Sequence, residues 1–184
     1  MRNEKTWEDT ALPKMILKFS PRLQNDFKKI KLKKPLPAPG SYFVFGPVHT
    51  GKTVLAMYMT LEMMRQRYLN ASSDKILFLK TAEILHSIKT AYDNPEIDGD
   101  AYFAELSVAE FLVLDDFGSE RPTDWALGIL YLLIDRRYEF LLPTIFTSNH
   151  SLDEIADKFG DDRITSRIRR MCKTIRKTKS FEED

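Results

Sequence analysis

What the sequence holds little of narrows its class first. There is one cysteine, Cys172, so an internal disulfide and a metal centre built from cysteines alone are both excluded. No apolar run approaches the roughly 18 residues that a membrane span requires. The opening MRNEKTWEDT carries no apolar segment of a secretory signal. Internal repeats and low-complexity tracts are missing as well. These absences point to a reduced, cytoplasmic protein that makes no use of a membrane. Net charge is also nearly absent, at +1, but only in the sum. Arg163, Arg167, Arg169, Arg170, Lys173, Arg176, Lys177 and Lys179 follow one another with no acidic residue between them. A second basic cluster, KKIKLKK, covers residues 28–34, while acidic residues gather at 93–100 and in the closing EED. Such asymmetry suits a face that binds a polyanion, and it equally suits a solvated charged surface.

What is present describes a folded domain. The 184 residues are 43% hydrophobic and 30% charged, enough to bury a core and to carry a short appendage. Residues 1–40 read as that appendage. Ser20-Pro21 is a helix start, and Leu23, Phe27 and Ile30 form one apolar stripe. The proline-rich KKPLPAPG then enters a domain over 41–184. There, strands are predicted at 41–45, 75–80, 111–118 and 144–149, with MCKTIRK, 171–177, a candidate fifth. Helices are predicted over 52–68, 81–94, 101–106, 122–140, 152–159 and 163–170. Pro122 is expected to open the fourth of these, and Ser151 with Glu154 to form a capping box for the fifth. Strands alternating with helices imply an α/β fold with a parallel sheet, whose ligands bind at the carboxyl ends of the strands.

Three motifs fall at those ends. The first is FVFGPVHTGKTVLA, residues 43–56, with the G-x(4)-G-K-T spacing of a phosphate-binding loop between a strand and a helix. Gly46 and Gly51 let the backbone wrap phosphate oxygens, with Pro47 in the loop and the amides of Val48, His49, Thr50 and Val54 around them. Lys52 would reach the outer phosphates and Thr53 would ligate magnesium. His49 stands where glycine is common, but histidine is enriched among residues that tolerate positive φ. The second motif is FLVLDDFG: Asp115 at a buried strand tip suits a magnesium ligand, and Asp116 suits orientation of an attacking water. Paired aspartates at a strand end also serve as turn formers. The third is TIFTSN, whose Asn149 suits a polar sensor between that carboxylate and the γ-phosphate, or a simple turn before Ser151. Arg163 and Arg167, four apart, share a helix face. Either can act on a neighbour's γ-phosphate as an arginine finger, or pair locally with Asp161 or Asp162.

GPVHTGKTVLA, FLVLDDFGSE, the Arg136-Arg137-Tyr138 helix end, LPTIFTSNHSLDEI and GDDRITSRI occur in this order. Together they resemble the DnaC/DnaI helicase-loader and IstB transposition-helper branch of the AAA+ P-loop ATPases, over about residues 41–170. The resemblance implies a five-stranded parallel sheet of order 5-1-4-3-2, ATP with magnesium, and a site completed by the next subunit of an oligomer. By position, Gly46–Thr53 matches Walker A, Asp115-Asp116 Walker B, and Asn149 sensor 1. Arg167 matches the finger acting in trans, with Arg163 its rival. The implied function is an ATPase that uses its ATP state to engage single-stranded DNA and a replicative, DnaB-like helicase. The alternatives are an IstB-like transposition helper and a nucleotide-dependent binding module with negligible turnover. A small-molecule kinase fits less well, because the TSN strand and the ITSR helix suit the loader pattern.

Two departures stand beside the resemblance. About 40 residues without cysteine precede the first strand, so helicase docking falls to Trp7–Ile30. Ser180-Phe181-Glu182 stands where the family often has Ser-Tyr-Arg, which predicts slow hydrolysis, a weak nucleotide response, or a charge taken from Arg176.

Overall fold

The computed structural model describes residues 7–17, 19–29, 36–69, 75–94, 98–119 and 122–179. Ile30, most of the 28–34 basic cluster, Pro95 and Ser180–Glu182 lie outside the described residues. A π-helical turn, Trp7–Ala11, runs into α1 (Leu12–Ile16), followed by α2 (Pro21–Lys29). The order then becomes β1 (Tyr42–Phe45), α3 (Lys52–Leu69), β2 (Ile76–Lys80), α4 (Thr81–Asp93), α5 (Gly99–Val108) and β3 (Phe111–Asp115). It continues with α6 (Asp124–Glu139), β4 (Thr144–Ser148), α7 (Leu152–Phe159), α8 (Arg163–Met171) and β5 (Lys173–Arg176).

All five strands are parallel, in the order β2-β3-β4-β1-β5. This is the expected 5-1-4-3-2 read from the other edge. Because strand side chains alternate between faces, each run feeds two cores. Phe43, Leu112, Leu114 and Phe146 pack with Ile84, Ile88, Leu130, Ile134 and Ile155 from the helices of one face. Tyr42, Val44, Phe111, Val113 and Ile145 pack on Leu55, Ala56, Met59 and Met63 of α3. The uninterrupted apolar strands follow from this burial on both faces.

A third apolar cluster joins the N-terminal segment to the opposite side of α3. Ala11, Phe19 and Leu23 lie against Val54, Met57, Leu61 and Met64, with Phe27 beside Tyr58 at 5.0 Å between ring centroids. The apolar residues of α3 therefore occupy two faces, one toward the sheet and one toward α1 and α2.

Helix ends follow local chemistry with one correction. α6 starts at Asp124 rather than at Pro122, because the Thr123 hydroxyl accepts the Ala126 N–H and so sets the N-cap. The short helical piece expected at 101–106 extends over Gly99–Val108, capped by Asp98 through the Ala101 N–H. The Ser151–Glu154 capping box is present, and Gly160 ends α7 at φ 68°.

Candidate functional site

The loop from β1 to α3 folds around two glycines and a histidine in backbone conformations that most side chains avoid. Gly46 has φ 148°, His49 φ 63° and Gly51 φ 77°. A Cβ on Gly46 would lie 1.9 Å from the Lys177 carbonyl oxygen, so the close passage of the chain beyond β5 demands glycine there. Thr50 is buried and its hydroxyl donates to the Pro47 carbonyl at 2.8 Å. The Lys52 ammonium donates to the same carbonyl at 2.7 Å. Gly46, Pro47 and Thr50 thus shape the loop from within. Val48, His49, Gly51, Lys52, Thr53 and Val54 line a cleft of about 700 Å³ above it.

Asp115 ends β3 against this loop, 5% exposed. Its Oδ1 accepts the Thr53 hydroxyl at 2.9 Å and the Thr147 hydroxyl at 2.5 Å. Burial raises its pKa above the ordinary carboxylate value, a shift that the two hydroxyls and the Lys80 charge oppose. Burial likewise lowers the Lys52 pKa, against the attraction of Asp116 and Asp115. A hydroxyl, a strand-end carboxylate and an ammonium meeting on one loop form an oxygen-rich, hard-cation and phosphate donor set. Among the described residues no cluster of three or more acidic, histidine or cysteine side chains could hold a metal by itself. A cation here would take Thr53 and Asp115, with the rest of its oxygens from phosphate and water.

Asp116 follows at φ 57°, its N–H bonded to the Thr147 hydroxyl at 3.0 Å. The Phe117 N–H donates to the Thr147 carbonyl at 2.7 Å, and the Ser148 hydroxyl to the Phe117 carbonyl at 2.7 Å. Lys158 of α7 donates to the Gly118 and Ser119 carbonyls at 2.8 and 2.6 Å. The turn after β3 is therefore pinned from β4 and α7, with the Asp116 carboxylate turned into the cleft. Asn149 faces it across a long contact of 3.5 Å, Nδ2 to Oδ1.

The structure brings Lys52, Thr53, Asp115, Asp116 and Asn149 to one cleft. It adds Thr147, Lys80, and Arg22, Leu23 and Asp26 of α2, none of which sequence reasoning assigned to the site. Thr147 could have been suspected from TIFTSN, two residues before Asn149. The others depend on how strands and helices pack, and no local signal marks them.

Arg163 and Arg167 lie apart from that cleft, on α8. The Arg163 guanidinium pairs with Asp161 at 2.6 Å and stands over the Tyr131 ring at 5.1 Å. The partners of Arg167 are Asp135, in a close ion pair, and the Tyr131 hydroxyl at 3.0 Å, with the same ring 4.9 Å away. Its local partner is thus on α6, not the Asp161 or Asp162 that spacing suggested. One tyrosine ring carries both cations. Arg169 also has a carboxylate, Asp153 at 2.7 Å, so three members of the basic run are paired within the chain.

Against known proteins, the model of the family described as IstB-like ATP binding protein matches residues 41–177. An uncharacterized protein of Bacillus subtilis, YqaM, is 27% identical over 80% of this chain and 44% of its own length. The replicative helicase loader DnaC of Escherichia coli K12 is 24% identical over 70% of this chain and 50% of its own length. The chain spans about half the length of these curated relatives. A crystal structure of the DnaC helicase loader shares the fold at a TM-score of 0.63 and 21% identity, covering 95% of this chain and 99% of that one. Cleft, strand order and family match agree: the chain belongs to the IstB-like ATP-binding family, in the DnaC/IstB branch of the AAA+ proteins.

Proposed function

We propose that the protein is a magnesium-dependent ATPase of the helicase-loader kind, whose nucleotide state governs its grip on single-stranded DNA and on a replicative helicase. The observation that carries the catalytic part is the Thr53–Asp115–Thr147 hydrogen-bond set beside Lys52. The loop amides and Lys52 would bind the phosphates, with Lys52 leaving the Pro47 carbonyl for phosphate oxygen. Thr53 and Asp115 would hold magnesium, which supplies neutralisation of phosphate charge. Asp116, on its pinned turn, would orient the attacking water and accept its proton, with Asn149 fixing the carboxylate. In this reading the catalytic residues are Lys52, Asp115, Asp116 and Asn149, and Arg167 of a neighbouring copy completes the site, with Arg163 its rival. Self-assembly in ATP follows from that requirement.

Residues 41–184 would then be the ATPase domain, and residues 1–40 the segment that docks a partner. No described helix is long and apolar enough to cross a membrane, in keeping with a cytoplasmic site of action. The second reading is an IstB-like transposition helper with the same ATPase core, in keeping with the match to the IstB-like family.

ATP hydrolysis with and without single-stranded DNA tests the first part. Turnover that rises with DNA is expected, and its absence under every condition leaves only a nucleotide-dependent binding module. Capture by a hexameric replicative helicase rather than by a transposase is the expected outcome for the partner. The reverse selects the transposition reading.

A further inference from the structure

β2 ends at Lys80, one strand beyond Asp115, and the parallel register sets the two residues side by side. Paired residues of a parallel ladder project from the same face of the sheet. Lys80 accordingly lines the same cleft as Lys52, Thr53, Asp115 and Asp116. Its charge acts on the Asp115 carboxyl, holding that pKa down against burial. The cleft therefore has a cation on each flank of its acidic pair, Lys52 from the loop side and Lys80 from the sheet side.

The two lysines are held differently. Lys52 is 8% exposed and anchored on the Pro47 carbonyl. The Lys80 side chain is 62% exposed, and its ammonium pairs with Glu83 at 3.5 Å, three residues on and in the first turn of α4. An exposed pair of this length is weak and easily exchanged for a stronger anion. A phosphate at the outer end of the cleft, beyond Asp115 and Asp116, is such an anion, since a charge-assisted bond to phosphate exceeds a solvated carboxylate contact. The strand fixes where Lys80 starts, and its four-carbon stem gives the ammonium freedom to turn from Glu83 toward the cleft.

We propose that Lys80 reads the terminal phosphate, and adds to the means by which this chain distinguishes a nucleoside triphosphate from a diphosphate. The inference rests on the phosphate-loop reading of the cleft. In the diphosphate-bound or empty protein Lys80 stays with Glu83. With a triphosphate it turns inward and adds its charge beside Asp116. Because Glu83 opens α4 and Lys80 immediately precedes it, that exchange is felt directly at the start of a helix. The state of the nucleotide is thereby passed to α4 without any movement of the phosphate loop.

The test is direct binding of AMPPCP and ADP, with magnesium, to the full chain by calorimetry, so that no turnover is needed. In Lys80→Gln the AMPPCP affinity should fall about tenfold, the worth of one partly screened charge-assisted contact, while ADP affinity stays within twofold. Lys80→Arg should restore most of the preference. Glu83→Gln, which removes the competing carboxylate, should leave ADP binding unchanged and strengthen AMPPCP binding by up to about threefold. An unchanged AMPPCP-to-ADP ratio in Lys80→Gln overturns the proposal, and so does an equal loss for both nucleotides. Lys52→Ala separates the two levels of the reading. If it binds both nucleotides like the parent, the phosphate loop itself has been misread and the role of Lys80 falls with it.

Discussion

Replacing Arg137 by methionine isolates what a buried cation contributes at the end of the sheet opposite the cleft. Arg137 is 0% exposed, and every hydrogen-bond partner it has is a neutral oxygen. Nε donates to the Thr144 hydroxyl at 2.8 Å, Nη1 to the Leu106 and Ala109 carbonyls at 3.0 and 2.7 Å, and Nη2 to the Pro143 carbonyl at 2.9 Å. Among the described residues no carboxylate pairs with it, and burial lowers its pKa to about 10. Two effects oppose each other in the variant. Removing a buried cation recovers its desolvation penalty, which can make an apolar replacement neutral or stabilising. Yet methionine replaces only one side of the network. Pro143 keeps the Leu112 N–H and Thr144 keeps its bond to Leu142. The Leu106 and Ala109 carbonyls close α5, where backbone acceptors have no helical donor. Stranding each costs about 1–3 kcal/mol, so the two carbonyls together cost about 2–6 kcal/mol. The second effect wins, for a loss of about 4 kcal/mol. At about 2–4 °C per kcal/mol for a chain of this size, the melting temperature should drop by about 8–16 °C. Lysine, which lacks the planar fork, should lose roughly half as much. Thermal unfolding followed by circular dichroism reads the result, with nucleotide affinity of the folded fraction unchanged. A Met variant melting within 2 °C of the parent, roughly 1 kcal/mol at most, would refute the claim that these bonds outweigh desolvation.

Three further expectations follow from the cleft and from α8. Gly46→Ala should lose about 2 kcal/mol or more in denaturant unfolding and weaken nucleotide binding, because its Cβ meets the Lys177 carbonyl at 1.9 Å. Melting close to that of the parent would show that the chain beyond β5 yields freely. Burial raises the Asp115 pKa, so the folded state holds this proton more tightly than the unfolded one. Its contribution to stability is full below the ordinary carboxylate value and is lost as pH rises through the raised folded value. Asp115→Asn should therefore melt higher than the parent at neutral pH, with the gap closing in acid, while magnesium-nucleotide binding weakens; a gap that widens in acid contradicts the sign. In assembled protein, Arg167→Ala should lower ATP turnover by about a thousandfold and Arg163→Ala far less. Normal turnover in Arg167→Ala, with loss in Arg163→Ala, would exchange their roles.

β1 to β4 were legible because each is an apolar-rich run bounded by glycine, proline or a strand-end polar residue, whereas β5 is a largely exposed edge strand with one apolar residue, Ile175. The strand order came from family resemblance, since nothing in a run such as TIFTSN says which neighbours it will have. Asp115, Asp116 and Asn149 could be placed at strand ends for the same reason. Arg22, Lys80 and the Asp135–Tyr131 seat of Arg167 were not legible, because each depends on which elements lie side by side. Arg137 illustrates the limit in another way. An arginine in the last turn of a helix reads as a surface charge complementing the helix dipole, and only the convergence of α5 and β4 on α6 makes it a buried clamp. The start of α6 was misplaced because proline is a strong local signal, while the Thr123 cap starts the helix two residues later, at Asp124.

The packing of the N-terminal segment on α3 has a mechanical meaning. α3 carries Lys52 and Thr53 in its first turn and presents Val54 and Met57 to Phe19 and Leu23. Arg22, Leu23 and Asp26 also border the cleft itself. A load placed on α1 and α2 is therefore delivered to the base of the phosphate loop through a few apolar contacts. By reciprocity, a partner that grips one setting of this segment more firmly must alter nucleotide affinity by the same factor that the nucleotide alters the grip. α1 and α2 thus stand to the cleft as a handle stands to a latch.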